Sequence, residues 1–287
     1  MSKLHTFGCS ITQGHALPDV VKPVINTSTG EPYTPEEIDK LRIKINWEDI
    51  HLYQPSDYAW PKVLGDKLGV NVNNYARRGA CFNQIARQCV DNVKHIQPGD
   101  TVIVMWTYLI RLSLQWPAKT SVPLCSVIDS NDNFKSYILP GFNKLFGLSN
   151  SKKDRDQAIH RYIEEYTNNF YLNPIGLYDN YYNKLILQQT TDGFLKQTGA
   201  RVIHLSVEAQ SYKDQLEECR QLLDDSLKMP YNIPNPNDWY SMDIDHDSCV
   251  VIHDPSIPTA GFDNHPSVTH HRNFAEHIRK KYFDSQC

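Results

Sequence analysis

The run Thr101-Val102-Ile103-Val104-Met105-Trp106 decides how this 287-residue chain is read. A strand with one wet face alternates apolar and polar side chains. Here every residue after Thr101 is apolar, as in a strand covered on both faces of a parallel sheet. The flanking segments agree. Residues 81–96 place Ile85, Cys89, Val93 and Ile96 on one helical stripe, and Pro98-Gly99 stops it. Before them lies a short strand, 70–75. Before that, Trp60, Val63, Leu64 and Leu68 recur at helical spacing, ended by Gly69. The chain opens on a strand, 3–7. Beyond the central run come a second buried-type strand at 201–205, a helix at 210–227 and a terminal helix at 268–283 with Phe274, Ile278 and Tyr282 on one side. Strands alternating with helices predict an α/β fold: a three-layer α/β/α sandwich around a central, mostly parallel sheet. In such sheets ligands bind outside the carboxyl ends of the strands.

Two stretches break the alternation. Residues 15–57 hold Pro18, Pro23, Pro32, Pro35 and Pro55 and little apolar periodicity. They read as an excursion with one short helix, started by Thr34 as N-cap, Pro35 and the acids Glu36 and Glu37. Residues 112–199 are irregular at first, 112–141 being mixed. An amphipathic helix is expected at 152–170 and a long helix at 175–198, whose Tyr178, Tyr181, Tyr182 and Phe194 are expected to pack it onto the domain. Residues 230–247 read as loop and 249–252 (C-V-V-I) as a short strand. The expectation is one domain over 1–287 with insertions at about 15–57 and 112–199.

Composition narrows the function. With 40% hydrophobic and 22% charged residues the chain is globular, not disordered. Lys and Arg number 29 against 33 Asp and Glu, so no basic field favours nucleic acid or an anionic membrane. No apolar run approaches the ~20 residues of a membrane span, and the start M-S-K-L-H-T-F lacks a signal-peptide core. A cytoplasmic protein is expected. Seven cysteines without a C-x-x-C pair read as reduced thiols, not a disulfide framework or zinc site. Asp243-x-Asp245-x-Asp247 lacks the glycine and closing glutamate of a calcium loop and reads as a solvated acidic loop. His270, His271 and His277 lack acid or thiol partners at ligand spacing. No metal and no cofactor is expected.

Four clusters fall just after predicted strands or before the last helix. Gly8-Cys9-Ser10 follows the first strand, with Gly14 closing the turn; Ser10 reads as a turn or capping residue, or as an exposed nucleophile. Asn74-Tyr75-Ala76-Arg77-Arg78-Gly79 precedes a helix that includes Asn83. The Gly79 N–H can face an oxyanion there, or the glycine serves only the turn. Thr107, Tyr108 and Arg111 end the central strand with polar groups; alternatively Thr107 caps a turn and Arg111 pairs with a structural carboxylate. Asp263-Asn264-His265 precedes Ser267, a plausible N-cap; an Asp-x-His is a loop feature or a base with its orienting acid.

Together the stretches G-C-S-I-T-Q-G, N-Y-A-R-R-G-A-C-F-N and D-N-H-P-S resemble the blocks of the SGNH (GDSL-type) hydrolase superfamily. The resemblance covers residues 1–14, 58–111 and about 200–283. It implies a flavodoxin-like sheet and acyl transfer on an ester. Ser10 would be the nucleophile, His265 the base and Asp263 its acid. The oxyanion would be held by the N–H groups of Ser10 and Gly79, with a third donor near Thr107; Tyr108, Arg111 and Asn83 are substrate-binding candidates. The sequence departs from the family pattern in three places. Gly-Cys-Ser stands for Gly-Asp-Ser, the third block has no Asn, and Asp263 lies two residues before His265 instead of three. The implied activity is a serine-dependent esterase or deacylase on a small-molecule or carbohydrate ester, an O-acetylated carbohydrate being one candidate. An acyltransferase using the same site, and a non-catalytic binding or structural protein that keeps the fold, are the alternatives. Cys9 as nucleophile is the weaker reading beside Ser10, because a cysteine there serves as a small buried residue.

Overall fold

The computed structural model describes residues 2–21, 23–41, 43, 54–109, 112–115, 121–128, 134–137, 174–227, 235–260 and 265–284. The helix expected at 152–170 lies outside them. The chain divides into two compact units. The first takes Met1–Tyr108, Thr191–Ala209 and Asp243–Cys287; the second takes Leu109–Thr190 and Gln210–Met242.

The first unit is built on the expected parallel sheet. Its elements are β1 (Lys3–Phe7), α1 (Ser10–Gln13), α2 (Pro35–Leu41), α3 (Trp60–Leu68), β2 (Asn71–Asn74), α4 (Phe82–Asn92) and β3 (Thr101–Trp106). Strands β4 (Leu112–Gln115), β5 (Ser121–Ile128) and β6 (Phe134–Tyr137) belong to the second unit, and α5 (Pro174–Lys196) enters the first at Thr191. After α5 comes β7 (Arg201–Ser206). Helix α6 (Tyr212–Leu227) lies in the second unit, and α7 (Cys249–Ile252) and α8 (Val268–Tyr282) complete the first.

The parallel strands run in the order β2-β1-β3-β7. The β1-to-β2 crossover, with α3, and the β2-to-β3 crossover, with α4, travel in opposite directions across the sheet. Right-handed crossovers then put α3 and α4 on opposite faces. Side-chain contacts agree. On one face Trp60 of α3 meets Phe274 of α8 edge-on at 5.4 Å. On the other, Phe82 of α4 stacks on Trp106 of β3 at 5.2 Å. The result is a three-layer α/β/α arrangement. Val102 to Trp106 are fully buried, as a run apolar on both faces requires.

Each joint has a local cause. Gly69 ends α3 in the left-handed conformation at φ 67, where a side chain is unfavourable. Thr34 starts α2 through a reciprocal capping box: Glu37 N–H donates to Thr34 Oγ1 at 3.2 Å and Thr34 N–H to Glu37 Oε2 at 2.8 Å. The Trp60 N–H, an orphan at the start of α3, donates to buried His271 Nδ1 at 3.1 Å and ties α3 to α8. Trp106 Nε1–H donates to His204 Nδ1 at 3.1 Å, which leaves His204 Nε2–H to donate to Asp192 at 2.9 Å. Burial pushes the Asp192 carboxyl up, but bonds from His204 and Lys196 outweigh it and hold it below its ordinary range.

Three expectations are corrected. Residues 249–252 form the helical turn α7, not a strand. Cys249 and Ile252 are buried while Val250 is exposed, a helical spacing, and Asp245 caps the turn by accepting from Ser248 N–H at 3.0 Å. The 243–247 loop is not simply solvated: the Asp245 side chain is 6% exposed and pairs with Lys281 at 2.8 Å. Phe194 is 37% exposed and does not pack into a core.

In the second unit β4, β5 and β6 form an antiparallel sheet in that order. Tyr182 of α5 stacks on Tyr178 at 5.9 Å and meets Trp239 edge-on at 5.1 Å. Tyr240 donates its hydroxyl to buried Gln188 at 2.8 Å. No helix among the described residues is long and apolar enough to cross a membrane.

Candidate active site

Because β1, β2 and β3 are parallel neighbours, their carboxyl ends open onto one edge of the sheet. Ser10, Gly79 and Thr107 all stand just past those ends. Hydrogen bonds stitch the first two loops together: Tyr75 N–H donates to Thr6 O at 2.9 Å and Arg77 N–H to Gly8 O at 3.2 Å. Asn74 adds a bond from Nδ2 to Thr12 O at 2.9 Å and accepts from Ala76 N–H at 3.1 Å.

Ser10 begins the single turn of α1, with Cys9 as its N-cap. The backbone N–H of a first helical residue has no acceptor within its own helix, so it points toward whatever sits at the turn. Two glycines make this turn possible. A Cβ on Gly8 would lie 2.2 Å from Thr12 Oγ1 and 3.2 Å from the Met105 carbonyl. Gly14 has φ +81, and a Cβ there would meet Ala59, Ser56 and Leu17 within 3 Å.

His265 arrives from the far end of the sequence. Ala260 N–H donates to His265 O at 2.8 Å and closes its loop. Ser267 then caps α8, with His270 in the place of the usual acid: Ser267 N–H donates to His270 Nδ1 at 3.2 Å, and His270 Nε2–H donates to Asp254 O at 2.8 Å. The consequence is a 2.9 Å separation between His265 Nε2 and Ser10 Oγ, across 255 residues of chain. That is hydrogen-bond distance for a nucleophile and its base. Ser10 is 2% exposed.

The other expected residues fall as follows. Gly79 is buried at φ +72, so its glycine is required by the turn itself. Thr107 is fully buried at the end of β3, and Tyr108 beside it is half-buried. Asn83 is exposed on the first turn of α4. Asp263 and Arg111 lie outside the described residues. Cys9 is fully buried, as the reading of a small core residue expected. Among the described residues no group of His, Cys, Asp or Glu is arranged to hold a metal ion.

Sequence reasoning passed over two residues. Asn74, noted only as part of its block, bonds the turn that carries Ser10. His15, read as the start of the excursion, lies edge-on to His265 with ring centroids 4.7 Å apart. The available signal was Gly14: a glycine that stops a one-turn helix folds the next residue back beside the helix start.

No protein-family model matches the sequence, and no curated protein matches it. Solved structures similar to it include the following three. A G-D-S-L family protein from Desulfitobacterium hafniense DCB-2 is 12% identical over 98% of this chain and 99% of its own, with a TM-score of 0.35. The acetyl xylan esterase Est2A from the rumen bacterium Butyrivibrio proteoclasticus is 10% identical over 98% of this chain and 64% of its own, with a TM-score of 0.38. The protein YxiM from Bacillus subtilis is 11% identical over 98% of this chain and 57% of its own, with a TM-score of 0.35. The chain thus spans under two thirds of the latter two.

Proposed function

We propose that this chain is a serine-dependent esterase or deacylase that works through an acyl-enzyme on Ser10. The observation that carries the reading is the 2.9 Å contact between Ser10 Oγ and His265 Nε2 at the carboxyl edge of the sheet. His265 takes the Ser10 proton as Oγ attacks the ester carbonyl. The tetrahedral intermediate then expels the alcohol, which leaves with the proton from His265. Water, deprotonated by the same imidazole, attacks the acyl-enzyme and releases the acid and free Ser10. Asp263 is assigned to fix the imidazole tautomer. The backbone N–H groups of Ser10 and Gly79, with a third donor near Thr107, are assigned to the oxyanion. One such donor is worth ~3 kcal/mol of barrier, so a third block without Asn points to a slower or more specialised enzyme. The substrate class assigned is a small-molecule or O-acetylated carbohydrate ester.

The test is turnover of p-nitrophenyl acetate by wild type and Ser10→Ala, with intact-protein mass spectrometry of rapidly quenched samples. An acetyl adduct on the wild type that Ser10→Ala lacks supports the reading. Its transfer to added alcohols in preference to water would redirect it to an acyltransferase. The absence of both turnover and adduct would favour a binding protein.

A further inference from the structure

We infer that His15 is a positioning residue for His265: its ring is the wall that keeps the base's Nε2 on Ser10 Oγ. The inference rests on the assignment of Ser10 and His265 as nucleophile and base. An imidazole on a loop is held by its own two torsions and by whatever it touches. One such contact is the His15 ring, at 69° to that of His265 with 4.7 Å between centroids. His15 is itself immobilised, being 4% exposed. Its backbone N–H donates to the Ser10 carbonyl at 2.9 Å. The wall is therefore anchored to the nucleophile's own residue, and any shift of Ser10 carries it along.

The residues after it hold the other partner. Ala16 has φ 65, the one described non-glycine residue in the left-handed region. Such a conformation is unfavourable for a side chain and persists where packing over-determines it. The packing is evident: Ala16, Leu17, Val20 and Val21 form a buried cluster with Ala260 and Val268, which flank His265 on both sides in sequence. The far end of the excursion closes on the same turn, through Ser56 N–H to Gln13 O at 2.9 Å. Residues 15–21 thus link the nucleophile's turn to the base's loop, with His15 bonded to Ser10 through its backbone and against His265 through its ring.

The experiment compares wild type, His15→Ala and His15→Phe. It measures kcat and KM on p-nitrophenyl acetate and records the histidine side-chain 15N spectrum, with His265→Gln assigning the His265 signals. His15→Ala is expected to lower kcat roughly 100-fold with KM nearly unchanged, the size of effect a misplaced group produces. His15→Phe, which keeps a flat ring, is expected to recover most of that loss, and the His265 Nε2 signal to move in the first variant and return in the second. Wild-type kcat with unmoved His265 signals in His15→Ala would overturn the inference, as would a His15→Phe protein no better than His15→Ala. If wild type itself shows no turnover, the esterase reading fails on its own and the 15N comparison still decides whether His15 holds His265. If His15→Ala does not fold, His15→Leu against His15→Phe makes the same comparison, and equal retention by both counts against the wall.

Discussion

Among the described residues, two pairs bring a histidine Nε2 onto a serine Oγ at almost equal distance, while Ser267 Oγ lies 3.1 Å from His270 Nδ1 within the cap of α8. Ser10 lies 2.9 Å from His265 and Ser248 lies 3.0 Å from His277. What separates them is the direction of the proton. Ser248 Oγ also sits 2.5 Å from Asp245 Oδ2. An ionised carboxylate only accepts, so the Ser248 hydroxyl donates to it and His277 must donate to Ser248. That imidazole has no lone pair to offer the serine, and the pair is structural. Ser248 Oγ is bracketed by a carboxylate and an N–H; among the described residues no carboxylate is recorded on the Ser10 hydroxyl. Distance between a serine and a histidine therefore does not by itself mark a nucleophile; the bonds around the hydroxyl decide which way its proton can move.

The two serines should separate most sharply under alanine substitution. Ser10→Ala is expected to lower kcat by at least about 1,000-fold with unchanged urea stability. Ser248→Ala is expected to keep kcat within about twofold and to lose ~1–3 kcal/mol in urea unfolding, because buried Asp245 loses a bond. Equal effects of the two changes on turnover would break the distinction.

Acid should reveal the imidazoles that hold structure. Burial, aided by His270 and His265, pushes the His271 pKa down to about 3. The unfolded chain takes up a proton near pH 6.5 that the folded one refuses, so stability falls as pH drops from about 6.5 toward 3. The loss is of order 5 kcal/mol over that window. His271→Gln, which can still accept from Trp60 N–H, should flatten that slope in urea titrations taken at successive pH values.

Asp245 sharpens the structural pair further. Burial pushes its carboxyl up, but bonds from Lys281, Ser248 and Tyr282 outweigh that and hold its pKa at about 2. A depressed carboxylate contributes stability above its unfolded pKa of about 3.9, and that contribution disappears as pH falls through about 2. Asp245→Asn should cost about 2 kcal/mol at pH 7 and much less near pH 2, by the same urea measurement.

The smallest effect is expected at Ala16. Glycine there relieves a left-handed strain of ~1–2 kcal/mol, loses a buried methyl worth ~0.8 kcal/mol and loosens the unfolded chain by ~0.5–1 kcal/mol. The three nearly cancel, so Ala16→Gly should change stability by less than about 1 kcal/mol.

What the sequence made legible was local. The 101–106 run, the Gly69 stop and the Thr34 box each depend on residues within a few positions, and each appears where expected. Ser10 and His265 were singled out by the resemblance of their blocks to a family pattern, since the turn residues beside each leave a capping or loop role open; the structure places their side chains 2.9 Å apart. The rest depends on distant partners. Asp245 reads as solvated loop until Tyr282, 37 residues on, donates to it at 2.6 Å. C-V-V-I has the composition of a strand, and the turn that leads into it, where Ser248 N–H donates to Asp245, starts it as a helix. His15 has no chemical signal of its own; its place follows from Gly14 and from His265, 250 residues away, which folding brings to it.

The central claim is that Ser10 is the activated serine and Ser248 is not. A fluorophosphonate probe applied to the folded protein, with the adduct located by peptide mass spectrometry, tests it directly. The account predicts a label on Ser10 that is lost in His265→Ala and none on Ser248. A folded protein whose Ser10 stays unlabelled, or whose label survives the loss of His265, would contradict it.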